Sequence, residues 1–161
     1  FECPWGGESF QWFELTSIAP EKIGEGLKVA GPYLNFYIDS VCKNYNLAND
    51  KIFFVGFSQG TMMALYHLCK RKFKCGGIVG FSGLLFEDES FDNDVLSKFP
   101  ITLYHGKNDE VINYEFTLKA YEKLSNLGFE INYNLSDLLG HGIDEKGISI
   151  GESFIKKFFY I

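Results

Sequence analysis

The sequence predicts an α/β protein with a mainly parallel sheet covered by helices on both faces. Three observations carry that prediction. Short apolar runs alternate with helical stripes along the chain, the order that builds a parallel sheet with crossover helices. One run, residues 52–55, leads straight into Gly56-Phe57-Ser58-Gln59-Gly60, and residues 61–68 behind it form a helix without Pro or Gly. Ser58, Asp109 and His141 follow one another in sequence beyond the C-terminal ends of predicted strands, where functional groups of such sheets gather.

Taken in order, residues 1–18 read as a loop that packs Trp5 and Trp12 onto the rest of the chain. Pro20 followed by Glu21 suits a helix start, because Pro needs no N–H there and an acid complements the dipole. Gly24, Gly26, Gly31 and Pro32 predict that this helix is broken, with Leu34, Tyr37, Ile38, Val41 and Tyr45 sharing its inner face. The run at 52–55 suits a parallel strand buried on both faces. Glycines at 56 and 60 are expected because side chains there would collide with the neighbouring strand and helix. Lys70 to Lys74 reads as a solvated basic helix end. A second buried strand is expected at 76–81 and a third at 101–105, with an acidic loop at 87–94 between them. The stripe Tyr114, Thr117, Leu118, Tyr121 and Leu124 predicts a helix that stops at Gly128. Residues 129–135 alternate apolar and polar side chains, as a strand near the sheet edge does. A last helix carries Ile150, Phe154, Ile155 and Phe158 inward.

The chain has 161 residues, 46% hydrophobic and 22% charged, enough to bury the core of a single domain spanning 1–161. A net charge of −6 with no basic block argues against a nucleic-acid partner. No apolar run has the length of a membrane span, so stable membrane insertion is not expected. The cysteines at 3, 42, 69 and 75 form no C-x-x-C pair and have no His at metal-ligand spacing. They read as free thiols of a reducing, cytoplasmic compartment, a Cys69–Cys75 disulfide being the alternative, and neither metal nor cofactor is expected.

The strand–G-x-S-x-G–helix context makes Ser58 a candidate nucleophile on a strained turn, with the Gln59 N–H at the helix start as a candidate oxyanion donor. A Ser hydroxyl is a poor nucleophile until a base takes its proton. His titrates near neutral pH and can accept that proton and return it to the leaving group. An Asp on the other ring nitrogen fixes the tautomer and stabilises the imidazolium. The order Ser58, Asp109, His141 suits these roles. His105 is the rival base, read instead as a hydrogen bonder that shapes its loop; His67 lies in mid-helix, and Glu110 and Asp137 are rival acids.

Gly56-Phe57-Ser58-Gln59-Gly60, Gly80-Phe81-Ser82-Gly83, His105-Gly106-x-x-Asp109-x-Val111-Ile112 and Gly140-His141-Gly142-Ile143 together resemble the phospholipase/carboxylesterase family of α/β-hydrolases, which includes the acyl-protein thioesterases. The resemblance covers essentially the whole chain and includes the pair Trp12-Phe13. It implies Ser58 as nucleophile, Asp109 as acid, His141 as base and Gln59 as oxyanion donor. It also implies that Trp12 and the segment 84–86, with Leu84 and Leu85, border an acyl pocket. The substrate would be a small acyl ester or thioester.

The family also carries an earlier strand followed by a His-Gly-x-Gly-type loop with a second oxyanion donor, and no such loop occurs in the sequence. Since the first residue is Phe1 and no signal-type segment follows, the chain is expected to lack the N-terminal part of the fold. That would leave an unpaired edge on the strand before Ser58, open to self-association into a homo-oligomer. Two alternatives to a full hydrolase follow. One is a weak or inactive remnant of such an enzyme. The other is a serine peptidase, which shares the triad but normally has an extra recognition domain.

Overall fold

The computed structural model describes Glu2 and residues 9–159. The expectations for Cys3, Pro4, Trp5, Gly6 and Gly7 lie outside the described residues. The elements run α1 (Pro20–Tyr45), β1 (Phe53–Phe57), α2 (Gln59–His67), β2 (Gly77–Phe81), α3 (Phe91–Asp94), β3 (Ile101–Gly106), α4 (Glu115–Asn126), β4 (Ile131–Ser136) and α5 (Glu145–Phe159). The strands form one four-stranded sheet in the order β1-β2-β3-β4, every neighbouring pair parallel.

The middle of the sheet shows why its strands read as apolar runs. Every residue of β2 and β3 is buried, because helices cover both faces. On one face Ile78, Ile101 and Leu103 join the core formed with α1, α2 and α4. On the other, Val79, Phe81 and Tyr104 pack against Ile150, Phe154 and Ile155 of α5. Phe158 stays 41% exposed but its ring lies 5.2 Å from that of Phe53.

Several expectations change in the folded chain. The first helix is not broken: α1 runs 26 residues with Pro32 inside it. The N–H that Pro32 lacks would have met the carbonyl of Lys28, and both residues sit on the solvent side, where water can serve the carbonyl. Its inner face is Ile23, Leu27, Ala30, Leu34 and Ile38, whereas Tyr37 and Tyr45 are exposed. The helical glycines are sites of close approach: a Cβ at Gly26 would overlap the buried Phe13 ring.

The expected strand at 52–55 begins one residue later, and it is not buried on both faces: Val55 is 63% exposed, because β1 is an edge strand. Gly56 has the predicted crowding, since a Cβ there would lie 2.6 Å from the backbone of Gly60 and Thr61. Gly60 does not, because a Cβ there would enter open space. The basic segment after α2 is not simply solvated. Lys70 pairs with Asp94 at 3.1 Å and sits over the Tyr66 ring, while Arg71 bonds Asn35 and Asp39. Both ends of the 87–94 loop are thereby fixed, since Lys123 also holds Asp92 at 2.7 Å and Glu87 at 3.0 Å.

Gly26→Ala is expected to destabilise the protein by about 1–3 kcal/mol, because overpacking against Phe13 exceeds the gain of about 1 kcal/mol in helix propensity. Urea unfolding of the two proteins measures it, and equal or greater stability of the variant would contradict the packing described.

Candidate active site

The turn between β1 and α2 places Ser58 at the C-terminal end of the sheet in a backbone conformation of φ 52°, ψ −112°. A non-glycine residue there is strained by on the order of 1–3 kcal/mol. The neighbouring strand holds the turn in place. Ser58 N–H donates to the Phe81 carbonyl at 2.9 Å, and the buried Thr61 hydroxyl lies 2.9 Å from the carbonyls of both Gly56 and Phe81. Ser58 itself is half-buried. Gln59 opens α2, so its backbone N–H has no intrahelical acceptor.

Asp109 lies in the loop after β3 with its side chain fully buried. Its Oδ1 accepts the N–H groups of Val111 at 2.9 Å and Ile112 at 2.8 Å. Its Oδ2 faces Nδ1 of His141 at 2.8 Å and Nε2 of His105 at 3.0 Å. Burial works against the charge, but the N–H of Ile112, the His141 ring and the N–H of Val111 outweigh it and hold the carboxyl below the usual carboxylate range. A carboxylate only accepts, so His141 carries its proton on Nδ1 and leaves the Nε2 lone pair free.

The loop after β4 delivers His141 to the turn. The His141 ring packs on that of Phe57, the residue before Ser58, with centroids 4.8 Å apart. Ser82 Oγ donates to the Gly142 carbonyl at 3.3 Å, and Asn108 N–H to the Leu139 carbonyl at 3.0 Å. Asp144 caps α5 through the Gly147 N–H at 2.8 Å and also receives the hydroxyls of Tyr104 and Ser136. No hydrogen bond joins Ser58 Oγ and His141 among the described residues, a distance that in such sites often closes only with substrate.

The structure therefore brings Ser58, Gln59, Asp109 and His141 to one end of the sheet. Trp12 joins them: a groove of about 660 Å³ is lined by Phe10, Trp12, Val55, Phe57, Ser58 and Gln59, among others. Leu84 and Leu85 do not line that groove, and Leu84 is buried in the main core. His67 lies away from the site, 2.9 Å from the Leu27 carbonyl. Glu110 is exposed and Asp137 pairs with Lys107. Two contacts go beyond the sequence reading, which had His105 as a hydrogen bonder shaping its loop, as its bond to the Ile112 carbonyl shows. The Gln59 side chain takes the Trp12 N–H on Oε1 at 3.0 Å and donates from Nε2 to the Phe13 carbonyl at 2.9 Å, fixing the groove wall. His105 touches the same carboxylate oxygen as His141, a contact that only the short spacing in His105-Gly106-x-x-Asp109 hints at.

Cys69 and Cys75 are buried free thiols with their pKa pushed up to about 12 by burial, which leaves them unreactive at neutral pH. Among the described residues no group of three His, Cys, Asp or Glu is placed to hold a metal ion, and no helix is long and apolar enough to cross a membrane.

Known proteins share the family and the fold of this chain. The chain matches the family described as Phospholipase/Carboxylesterase over residues 2–159. It is 30% identical to acyl-protein thioesterase 1 of Debaryomyces hansenii over 89% of this chain and 65% of that protein. The crystal structure of esterase PE8 superimposes with a TM-score of 0.91 at 29% identity, covering 96% of this chain and 73% of that one. The Bacillus cereus carboxylesterase, at 17% identity and a TM-score of 0.75, shares the fold over 94% of this chain and 72% of its own. The chain spans only part of the length of the curated relatives it matches: 65%, 67% and 54% for three thioesterases.

The strain at Ser58 has a measurable sign. Ser58→Gly is expected to stabilise the protein by about 1 kcal/mol, since only Gly adopts that conformation freely, while Ser58→Ala leaves stability unchanged. Thermal unfolding of the three proteins decides it, and a Gly variant less stable than wild type would contradict the strain.

Proposed function

The chain belongs to the phospholipase/carboxylesterase family of α/β-hydrolases, and from that membership we propose that it hydrolyses carboxylic esters or thioesters through an acyl intermediate on Ser58. The observation that carries the proposal is the 2.8 Å contact of Asp109 with Nδ1 of His141, on a ring packed against the residue before Ser58. In the first step Ser58 Oγ attacks the acyl carbon while His141 Nε2 takes its proton. The oxyanion forms beside the Gln59 N–H at the start of α2, a donor of a kind worth on the order of 10²–10³ in kcat. His141 then returns the proton to the departing alkoxide or thiolate. A water activated by the same ring releases the acid and restores Ser58.

The groove supports an acyl substrate, because Trp12, Phe10, Val55 and Phe57 give it an apolar wall next to Ser58. The name thioesterase in relatives favours thioesters among the candidate substrates, and esterase in others favours oxygen esters. The free thiols at 42, 69 and 75 support a reducing compartment, hence a cytoplasmic location. One sheet with its covering helices supports reading the chain as a single domain.

Hydrolysis of short p-nitrophenyl esters tests the assignment. Ser58→Ala should lose activity by on the order of 10⁶, and His141→Asn nearly as much. His105→Asn should keep part of it. In wild type, kcat/KM should rise with pH as the single imidazole base loses its proton. Asp109, held below the usual carboxylate range, is ionised throughout pH 5–8 and adds no second limb. Substantial hydrolysis by a folded Ser58→Ala protein, or a flat profile across that interval, would contradict the mechanism.

A further inference from the structure

We propose that His105 is a positioning residue of the site: as a permanently neutral Nε2–H donor it holds one oxygen of Asp109 and sets how much of the carboxylate charge reaches His141. The proposal rests on the triad assigned above and extends it to a histidine outside it.

The protonation state of His105 follows from its partners. The ring is fully buried on β3, with 0% exposure. Its Nε2 lies 2.9 Å from the Ile112 carbonyl and 3.0 Å from Asp109 Oδ2. Both are acceptors only, so Nε2 bears a hydrogen. Its Nδ1 lies 2.7 Å from the Thr117 hydroxyl of α4, which can donate to it. The ring is satisfied on both sides as a neutral Nε2–H tautomer, and burial pushes its pKa down and keeps it so.

The consequence falls on Asp109. Oδ1 is occupied by two backbone N–H groups, and Oδ2 is shared between two imidazoles, one that must stay neutral and one that must gain a proton. A hydrogen bond from His105 withdraws charge from the oxygen that faces His141, and it pins the carboxylate against rotation. Its loss would leave His141 facing a fuller negative charge, which favours the imidazolium. The titratable groups facing the carboxylate are His105 from β3 and His141 from the loop after β4. On its own loop Glu110 is exposed, and Lys107 is paired with Asp137 at 2.6 Å. Thr117 from α4 and Phe57 from β1 do not ionise.

The chain has three histidines, so each can be followed separately by NMR on the full ¹⁵N-labelled protein. In wild type, His105 should show the Nε2–H tautomer and no titration between pH 5 and 8. An Nδ1–H tautomer, or a protonation in that interval, would overturn the proposal without any variant. In His105→Leu, the pH at which His141 takes up its proton should move upward, because the donor that draws charge off the facing oxygen is gone. The acid limb of kcat/KM should move with it, giving about a three-fold loss on the acid side and near wild-type values at pH 8.5. His105→Gln keeps an amide N–H that can reach Asp109 and should restore both readouts. An equal loss of kcat/KM at every pH with the His141 midpoint unmoved would reduce His105 to a packing role and overturn the proposal. The NMR readouts need no turnover, so a chain without esterase activity would refute the reaction above while the midpoints still decide this proposal.

Discussion

The arrangement of the site depends on how the turn after β1 is fastened to β2. Ser58 sits at φ 52°, a conformation the backbone would not hold unaided. It is held because one carbonyl, that of Phe81, receives both the Ser58 N–H and the Thr61 hydroxyl, and the same hydroxyl lies on the Gly56 carbonyl. Thr61 is buried, so leaving these groups unpaired would cost on the order of 1–3 kcal/mol each. The parallel register that pairs Phe57 with Phe81 brings the two strand ends level and makes this fastening possible. The next residue, Ser82, itself at φ 46°, turns its hydroxyl to the loop that carries His141. Ser58 and the loop of His141 are thus referred to the same strand end.

Asp109 supplies the electrostatic half of the design. A buried carboxylate is unfavourable unless its lone pairs are met. Here they are met by two backbone N–H groups and two imidazoles. The two fixed donors on Oδ1 give the carboxylate a single orientation, which presents Oδ2 to His141. The loop of His141 is held independently by Asp144, which gathers the Tyr104 and Ser136 hydroxyls and the α5 N-terminus. The ring therefore arrives at Asp109 already oriented rather than relying on that bond alone.

Much of this was legible in the sequence because it rests on local pattern. Fully buried parallel strands read as apolar runs, so 76–81 and 101–105 fell within a residue of β2 and β3. The G-x-S-x-G between strand and helix placed Ser58, and the order Ser58, Asp109, His141 gave the constellation now found at one end of the sheet. What was not legible depends on distant partners. Gly24, Gly26 and Gly31 read as helix breakers, yet each makes room for a side chain from elsewhere, Phe86, Phe13 and His67. Pro32 is tolerated because of which side of α1 meets solvent. The exposure of Val55 goes with the edge position of β1, which the apolar run at 52–55 alone does not show, although the family resemblance implied an unpaired edge there. Lys70 and Arg71 read as a solvated end because their acidic partners, Asp94 and Asp39, are far away in sequence. The direction of the His105 ring is set by Thr117 on α4, also beyond reach of the local motif.

The central claim is that Ser58 is a hydroxyl activated by His141. Covalent trapping tests it most directly. The full chain is treated with a fluorophosphonate at pH 7.5, and peptides are read by mass spectrometry. The account predicts a single phosphonyl adduct on Ser58, lost in Ser58→Ala and formed orders of magnitude more slowly in His141→Asn. An adduct on another residue, or one on Ser58 that forms equally fast without His141, would contradict it.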